Sequence, residues 1–253
     1  MYMTVREFYK ALSAIVPREL GCDWDKDGLN VCPEPDREVK KVLVALDATA
    51  AVVDRAVAEG YDVIFSHHPM LWDGLKTVDA DDCVGGKVVK LCRGGVAAIS
   101  FHTRIDAAEG GVNDILASLA GLENVEPSGI ENIMRVGTLP APMSAAEFAA
   151  RVKDALGCAA VVCSDAGLPV HRVAVVGGSG KSEIGVALAA GADTFLTGEL
   201  KYSQLCEPCG INLLMAGHFH TEQPVCKRLC ALVARVCPEA ETNIVKSCKV
   251  TVV

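Results

Sequence analysis

The chain is poor in aromatic residues, in long apolar runs and in clustered positive charge. Aromatic residues make up 5% of its 253 residues although 51% are hydrophobic, so the apolar excess is Ala, Val and Leu, the composition of parallel strands covered by helices. Charged residues interrupt each apolar stretch before it is long enough to cross a bilayer, which argues against a membrane protein. A net charge of −8 without a basic run argues against a nucleic-acid partner.

The N-terminus, MYMTVREFYKAL, also lacks the basic and apolar segments of an export signal. The twelve cysteines therefore predict reduced thiols and a cytoplasmic location rather than a disulfide framework. One pair, Cys206 and Cys209, has the C-x-x-C spacing of metal ligands. A lone pair of this kind is weak evidence for metal or redox chemistry, and its role stays open.

The chain does contain an internal duplication. Lys41–His68 and Arg172–Glu199 align without a gap at a constant offset of 131 residues. Each copy predicts a buried strand, an amphipathic helix that ends at glycine, and a second apolar strand. The length suits two α/β domains, which we predict at residues 1–130 and 131–253. The copies differ at the end of the second strand, where the first has two histidines and the second has Gly-Glu.

Two further matches place insertions on either side of those histidines. Capping-box patterns that begin at Thr4 and Ser144 predict equivalent helices at an offset of 140, so the first half holds nine more residues before its strand, in the region Asp23–Val31. The apolar segments Gly95–Ser100 and Ile211–Ala216 match at an offset of 116, which predicts fifteen more residues after the histidine pair.

Five of the six histidines directly follow predicted strands. In parallel α/β sheets, ligands bind in the crevice outside the carboxyl ends of the strands, so these segments are expected to converge. If helical turns begin there, a histidine and a carboxylate four residues apart share one face. The residues concerned are His67 and His68; His102 with Asp106; and His218 and His220 with Glu222.

Imidazole nitrogen and carboxylate oxygen, with no thiolate required, suit zinc, iron, manganese, cobalt or nickel. The alternative is that each histidine separately caps a strand or donates to a backbone carbonyl. Convergence of three such segments favours the metal site, and the ligands suffice for two ions. Two divalent cations would activate a water molecule near neutral pH.

Three other polar segments have structural interpretations. Gly177–Ser182 lies between a strand and a helix but lacks the spacing of a phosphate loop, because position 175 is valine. Gly110–Asp114 predicts a turn and a helix cap. Asp47, which follows the first strand of the first copy, is interpreted as a helix cap rather than as support for a metal ligand.

The chain resembles the Nif-three-like dinuclear-metal-centre hexameric proteins, widely known as GTP cyclohydrolase 1 type 2 homologues. The resemblance extends over nearly the whole chain in the same order. It rests on the segments IFSHHP, HTRIDAAEGGVND, RVGTLP, VAVVGGSG, GADTFLTGELKY and GHFHTE.

The resemblance implies two related α/β domains with a metal pair in the cleft between them, and a homohexamer in the form of a hollow toroid. It implies that Glu222 bridges the ions and that His102 supports the site or transfers protons as a catalytic residue. At His220 this chain departs from the family, so a further ligand or acid–base role there stays open. The implied ligands are His67, His68, Asp106, His218 and Glu222.

Three functions are compatible with these features. The first is a metal-dependent hydrolase acting on a small molecule, with a nucleotide cyclohydrolase as the named example. The second is a metal-trafficking or cofactor-assembly protein without turnover. The third is a hexameric binding scaffold that the metals stabilise.

Overall fold

The computed structural model describes residues 2–207, 210–248 and 250. These residues form a mixed α/β structure with two sheets, which confirms the predicted fold class. Among the described helices, none is both long and apolar enough to cross a bilayer. In chain order the elements are α1 (Val5–Ile15), β1 (Gly28–Val31), β2 (Lys41–Ala45), α2 (Ala50–Ala58), β3 (Val63–Ser66), α3 (Cys83–Gly94), β4 (Ala97–Ser100), α4 (Thr103–Ala107), α5 (Val112–Ala120), β5 (Glu123–Ser128), β6 (Met134–Met143), α6 (Ala145–Leu156), β7 (Val162–Ser164), β8 (Val170–Ser179), α7 (Ile184–Ala189), β9 (Thr194–Glu199), α8 (Tyr202–Leu205), β10 (Asn212–Met215), α9 (His218–Glu222), α10 (Val225–Val236) and β11 (Glu241–Ile244).

One compact unit comprises Met1–Ile105 and Val225–Thr251. Its sheet has the order β1-β4-β3-β2-β11, in which β1 is antiparallel to β4 and the other neighbours are parallel. All four residues of the central strand β3 are buried, as expected for a parallel strand covered on both faces. The predicted domains, 1–130 and 131–253, were defined by the two copies of the duplication and not by compactness. They stay a prediction.

The other unit comprises Asp106–Pro224. Its sheet has the order β5-β6-β8-β9-β10-β7, with β8, β9 and β10 parallel. Separate apolar clusters pack on it, one around Phe148 and Val173 and another around Phe195 and Ala187. Alternating residues of β8, β9 and β10 therefore enter different cores.

The duplication extends to individual hydrogen bonds. The Asp62 carboxylate accepts from the backbone N–H of Lys41 at 2.9 Å, and the Asp193 carboxylate accepts from that of Arg172 at 2.7 Å. The donors, Lys41 and Arg172, and the acceptors, Asp62 and Asp193, are each separated by the 131 residues of the sequence repeat. Each aspartate directly precedes one strand, and its carboxylate accepts from a residue at or near the start of the parallel neighbour. This local function explains why both copies have aspartate there.

The predicted capping boxes are present. The hydroxyl of Thr4 accepts from the N–H of Glu7, whose carboxylate accepts from the N–H of Thr4, and Ser144 and Glu147 repeat this arrangement at the start of α6. These four contacts satisfy N–H groups that the helix itself leaves without a carbonyl. The equivalence of α1 and α6 is thereby confirmed.

The third correspondence is shifted by one residue from the prediction. Val63 pairs with Ala97 in one sheet, and the equivalent Thr194 pairs with Asn212 in the other. Ala97 and Asn212 are thus equivalent, at an offset of 115 rather than 116. Register depends on which residues pair across strands, and a one-residue change moves every side chain to the opposite face.

Candidate metal centre

Three histidines meet at one edge of the first unit's sheet. The last residues of β3 and β4, Ser66 and Ser100, are paired in register, so the segments that follow them emerge side by side. Ring centroids are 4.8 Å apart for His67 and His68, 5.2 Å for His67 and His102, and 5.5 Å for His68 and His102. One nitrogen from each ring lies within 4.8 Å of the others, so the three rings could hold a metal ion.

Hydrogen bonds orient the rings of His67 and His68. Nδ1 of His67 is 3.0 Å from the carbonyl oxygen of Phe101, and Nδ1 of His68 is 2.7 Å from Oδ1 of Asp47. Carbonyl and carboxylate oxygens only accept hydrogen bonds here, so each Nδ1 carries the proton and donates it. The neutral ring then carries its lone pair on Nε2, the arrangement found in metal-ligating histidines.

The interpretation of Asp47 as a helix cap was wrong. The N-cap of α2 is Thr49, whose hydroxyl accepts from the N–H of Val52. Asp47 instead accepts from His68 and, through Oδ2, from the hydroxyl of Ser247 at 2.8 Å. It therefore orients a predicted metal ligand.

The inserted loop before β1 fixes His102 in the same manner. Nδ1 of His102 is 3.1 Å from Oδ1 of Asp25, and its backbone N–H donates to Oδ2 of Asp27 at 3.0 Å. Asp25 also accepts from the N–H of Thr103 at 2.9 Å. Burial raises the pKa of the Asp25 carboxyl, but hydrogen bonds and charge attraction from His102, with hydrogen bonds from Thr103, lower that pKa well below its usual range. The carboxylate is therefore ionised and an acceptor at neutral pH.

A buried ion pair holds this loop in place. The guanidinium of Arg104 donates to Asp27 twice, at 2.8 Å from Nε and 2.9 Å from Nη2, and neither side chain is exposed to solvent. The same guanidinium lies 4.2 Å from the centroid of the Phe101 ring. Such forked geometry fixes both direction and distance, so Arg104 positions the loop that orients His102.

In the second unit, His218 lies between two carboxylates. Its Nδ1 is 3.2 Å from Oε1 of Glu199, and its Nε2 is 3.0 Å from Oε2 of Glu222. His218 and Glu222 are four residues apart in α9 and share a helix face. His220 projects from a different face of α9 and contacts Phe219, with ring centroids 5.5 Å apart.

Glycines allow α9 to approach the sheet closely. A Cβ on Gly178 would lie 2.2 Å from Oε1 of Glu222, and one on Gly198 would lie 2.8 Å from Cα of His218. The N–H of Gly178, a residue with φ of +65°, donates to the hydroxyl of Thr221 at 3.1 Å. The GGSG segment therefore seats Glu222 against the end of β8, which gives these glycines a structural role.

We expect Gly178→Ala to displace the Glu222 carboxylate, because no room exists for the new methyl group. Alanine is also strained at positive φ, so stability should fall by roughly 1 kcal/mol and metal affinity by about 10–100-fold. Gly185→Ala is the matched control, because a Cβ there meets no atom within 4 Å. Calorimetric titration with zinc and thermal unfolding measure both effects. Unchanged affinity in Gly178→Ala would show that the close approach does not position Glu222.

Asp106 is half-buried in α4. Its assignment as a metal ligand rests on the sequence. Its carbonyl oxygen accepts from Nδ2 of Asn113 at 3.2 Å, and Oδ1 of Asn113 accepts from the N–H of Gly177 at 2.7 Å. These bonds link α4 to the end of β8. Of the C-x-x-C pair, Cys206 is exposed and Cys209 lies outside the described residues.

Sequence reasoning missed three residues that hold the histidines: Asp25 and Glu199 lie beside Nδ1 of His102 and His218, and Asp27 accepts from the backbone N–H of His102. Asp25 and Asp27 were recognised only as part of an insertion, and Glu199 only as the counterpart of His68. The available signal was the alternation of acidic residues at Asp23, Asp25 and Asp27 in a loop that the second copy lacks.

Comparison with known proteins agrees with this architecture. Residues 3–251 match the family described as Duf34/NIF3 (NGG1p interacting factor 3). A Streptomyces coelicolor protein described as a GTP cyclohydrolase 1 type 2 homolog is 38% identical over 235 residues, 87% of this chain and 82% of that protein. The protein NIF3 homolog of Schizosaccharomyces pombe is 32% identical over 233 residues, 85% and 83% of the two chains.

A solved structure, reduced HcgD from Methanocaldococcus jannaschii, superposes with a TM-score of 0.84 at 28% identity and covers 96% of this chain and 98% of its own. The likeness therefore holds along the length of the chain in both sequence and fold. The chain belongs to the Duf34/NIF3 family.

Proposed function

We propose that this chain holds two divalent metal ions in one centre and is a metal-dependent hydrolase of the GTP cyclohydrolase 1 type 2 homologue type. One observation carries the proposal. The rings of His67, His68, His102 and His218 each have Nδ1 within 3.2 Å of a carbonyl or carboxylate oxygen. For His68 and His102 the partner of Nδ1 is a carboxylate, which leaves Nε2 to bind a metal or a proton and is more than the capping of a strand requires.

The donor set fits divalent transition metals. We assign as ligands His67, His68, Asp106, His218 and Glu222, with Glu222 as the bridge. Neutral imidazoles with carboxylates suit zinc, iron, manganese, cobalt or nickel, and the carboxylates offset the charge of the cations. The 3.0 Å separation of His218 Nε2 and Glu222 Oε2 suits two ligands of one ion.

Bound cations would supply Lewis acidity and an activated water. The chain's own contribution is proton transfer and orientation. The side chain of His102 is 13% exposed, so a substrate at the site could reach it. Asp25 accepts from Nδ1 of His102, which fixes the tautomer and stabilises the ring when Nε2 takes up a proton. We therefore assign His102 to proton transfer and Asp25 to positioning it.

Opening the purine ring of GTP at C8 requires an activated water and a proton donor, and this site would offer both. The name of the Streptomyces relative supports GTP as a first substrate to test. Phosphoester and amide hydrolysis need the same groups. Protein reconstituted separately with each of the five metals should be assayed with GTP, phosphoesters and amides.

Metal-dependent turnover that is lost in His102→Ala supports the hydrolase. Tight metal binding without turnover on any substrate, with metal released to a chelator or an acceptor protein, would favour metal trafficking instead. Metals that raise only the thermal stability of the assembly would favour the scaffold.

We further propose that the chain assembles as a homohexamer. The resemblance to hexameric proteins described in the sequence analysis supports a closed homo-oligomer. Light scattering at micromolar concentration should give six times the mass of 26.6 kDa. A monomeric mass would overturn the proposed assembly but would leave the proposal of a metal centre unaffected.

A further inference from the structure

The two tryptophans of the chain lie beside the histidine cluster. Trp24 and Trp72 pack edge to face with ring centroids 5.9 Å apart. Their centroids are 6.3 Å and 5.4 Å from that of His102. Two loops that are distant in sequence thus bring both indoles to the residue assigned to proton transfer.

Both indoles remain open to solvent, with exposed fractions of 56% for Trp24 and 48% for Trp72. Tryptophan is usually well buried, and it is enriched where proteins bind other molecules. This pair therefore leaves substantial apolar, polarisable surface beside the site, which is costly unless something covers it.

The position of the two tryptophans in the duplication supplies a second argument. Trp24 lies in the loop before β1 and Trp72 in the segment between β3 and α3, and the sequence comparison predicts an insertion in each region relative to the second copy. The loop around Trp24 also contains Asp25 and Asp27, which fix His102. Both insertions thus accompany the copy that has the histidine pair.

We propose that Trp24 and Trp72 form a stacking platform for a planar heteroaromatic ring of the substrate. This inference rests on the proposed function, since it names the class of molecule bound at that site. An aromatic face accepts any flat heterocycle through stacking. The platform would hold the ring next to His102, within reach of the water that bound metal ions would activate.

Intrinsic fluorescence tests the proposal directly, because both tryptophans of the chain belong to the platform. The full-length, metal-loaded protein is excited at the red edge of tryptophan absorption and titrated with guanosine, with nicotinamide as a single-ring probe and with ribose as a probe without a ring. We expect saturable quenching by at least one ring compound and none by ribose.

Trp24→Leu and Trp72→Leu should each weaken ring binding by about 5- to 150-fold, the loss expected for one stacked base. Tyr2→Leu is the matched control, because Tyr2 is an exposed aromatic residue of the same unit, 37% exposed and beside Lys40. It should bind the ring like the unaltered chain. Metal content is measured in every variant, so that loss of the platform is distinguished from loss of the centre.

Absence of saturable quenching up to the solubility limits of guanosine and nicotinamide would overturn the proposal. The proposal would also be overturned if the emission changed with the concentration of the protein and not with that of the ligand. The indoles would then pack between copies of the chain. Ring binding without turnover would leave the platform in place and remove the hydrolase. If both tryptophan variants retain turnover at an unchanged KM, the hydrolase stands and the platform is ruled out.

Discussion

Glu222→Gln is expected to lose most of its metal. A neutral amide cannot replace a carboxylate that bridges two cations, so affinity should fall by more than the roughly 10–100-fold that loss of an outer partner costs. Only 5% of the Glu222 side chain is exposed, so solvent cannot readily substitute for it. Elemental analysis after dialysis against a weak chelator measures the loss.

Glu199→Gln is the matched control, because it makes the same chemical change at the other nitrogen of His218. Glu199 is proposed to orient that ring rather than to bind metal, so its loss should cost only about 10–100-fold in affinity. Full metal retention in Glu222→Gln would overturn the bridging assignment.

His102→Ala should retain most of its metal and lose turnover by about 10²–10⁴-fold, because His102 is assigned to proton transfer. Metal content and rate are measured on the same preparation. The structure also groups His102 with His67 and His68 closely enough for shared ligation. Complete metal loss in His102→Ala would therefore make it a ligand and move the acid–base role elsewhere.

Asp27→Ala should destabilise the protein by about 3–5 kcal/mol. The substitution leaves the guanidinium of Arg104, which is fully buried, without its carboxylate. It also removes the acceptor for the backbone N–H of His102. Urea unfolding of metal-free protein measures the change without a contribution from bound metal.

Glu59→Ala is the control for this experiment. Its ion pair with Arg55 spans 2.9 Å, but the two side chains are 41% and 45% exposed. Pairs of that kind contribute about 0–1 kcal/mol. If Asp27→Ala lowers the free energy of unfolding by no more than Glu59→Ala does, the buried pair does not hold the loop.

The sequence predicted features that depend on short stretches of chain. The capping boxes at Thr4 and Ser144 and the repeated strand–helix–strand units involve neighbouring residues, so periodicity and residue type were sufficient. The strand ends that bear His67 and His102 could also be located, because parallel strands carry their following residues to one edge.

Long-range contacts could not be predicted in the same way. Arg104 and Asp27 are separated by 77 residues, and no periodic pattern links them. Asp47 was misinterpreted because an aspartate just before a helix resembles a cap, whereas Thr49 fills that role. The one-residue error in aligning Ala97 with Asn212 arose because similarity of apolar segments does not determine register.

The central claim is that both sets of ligands serve one dinuclear centre. Crystals of metal-reconstituted protein, measured at the absorption edge of the metal, test it most directly. We predict two anomalous peaks about 3.5–4 Å apart, ligated by His67, His68, Asp106, His218 and Glu222. A single peak on the histidines that follow β3 and β4, or a separate metal site beside Glu199, would contradict the account.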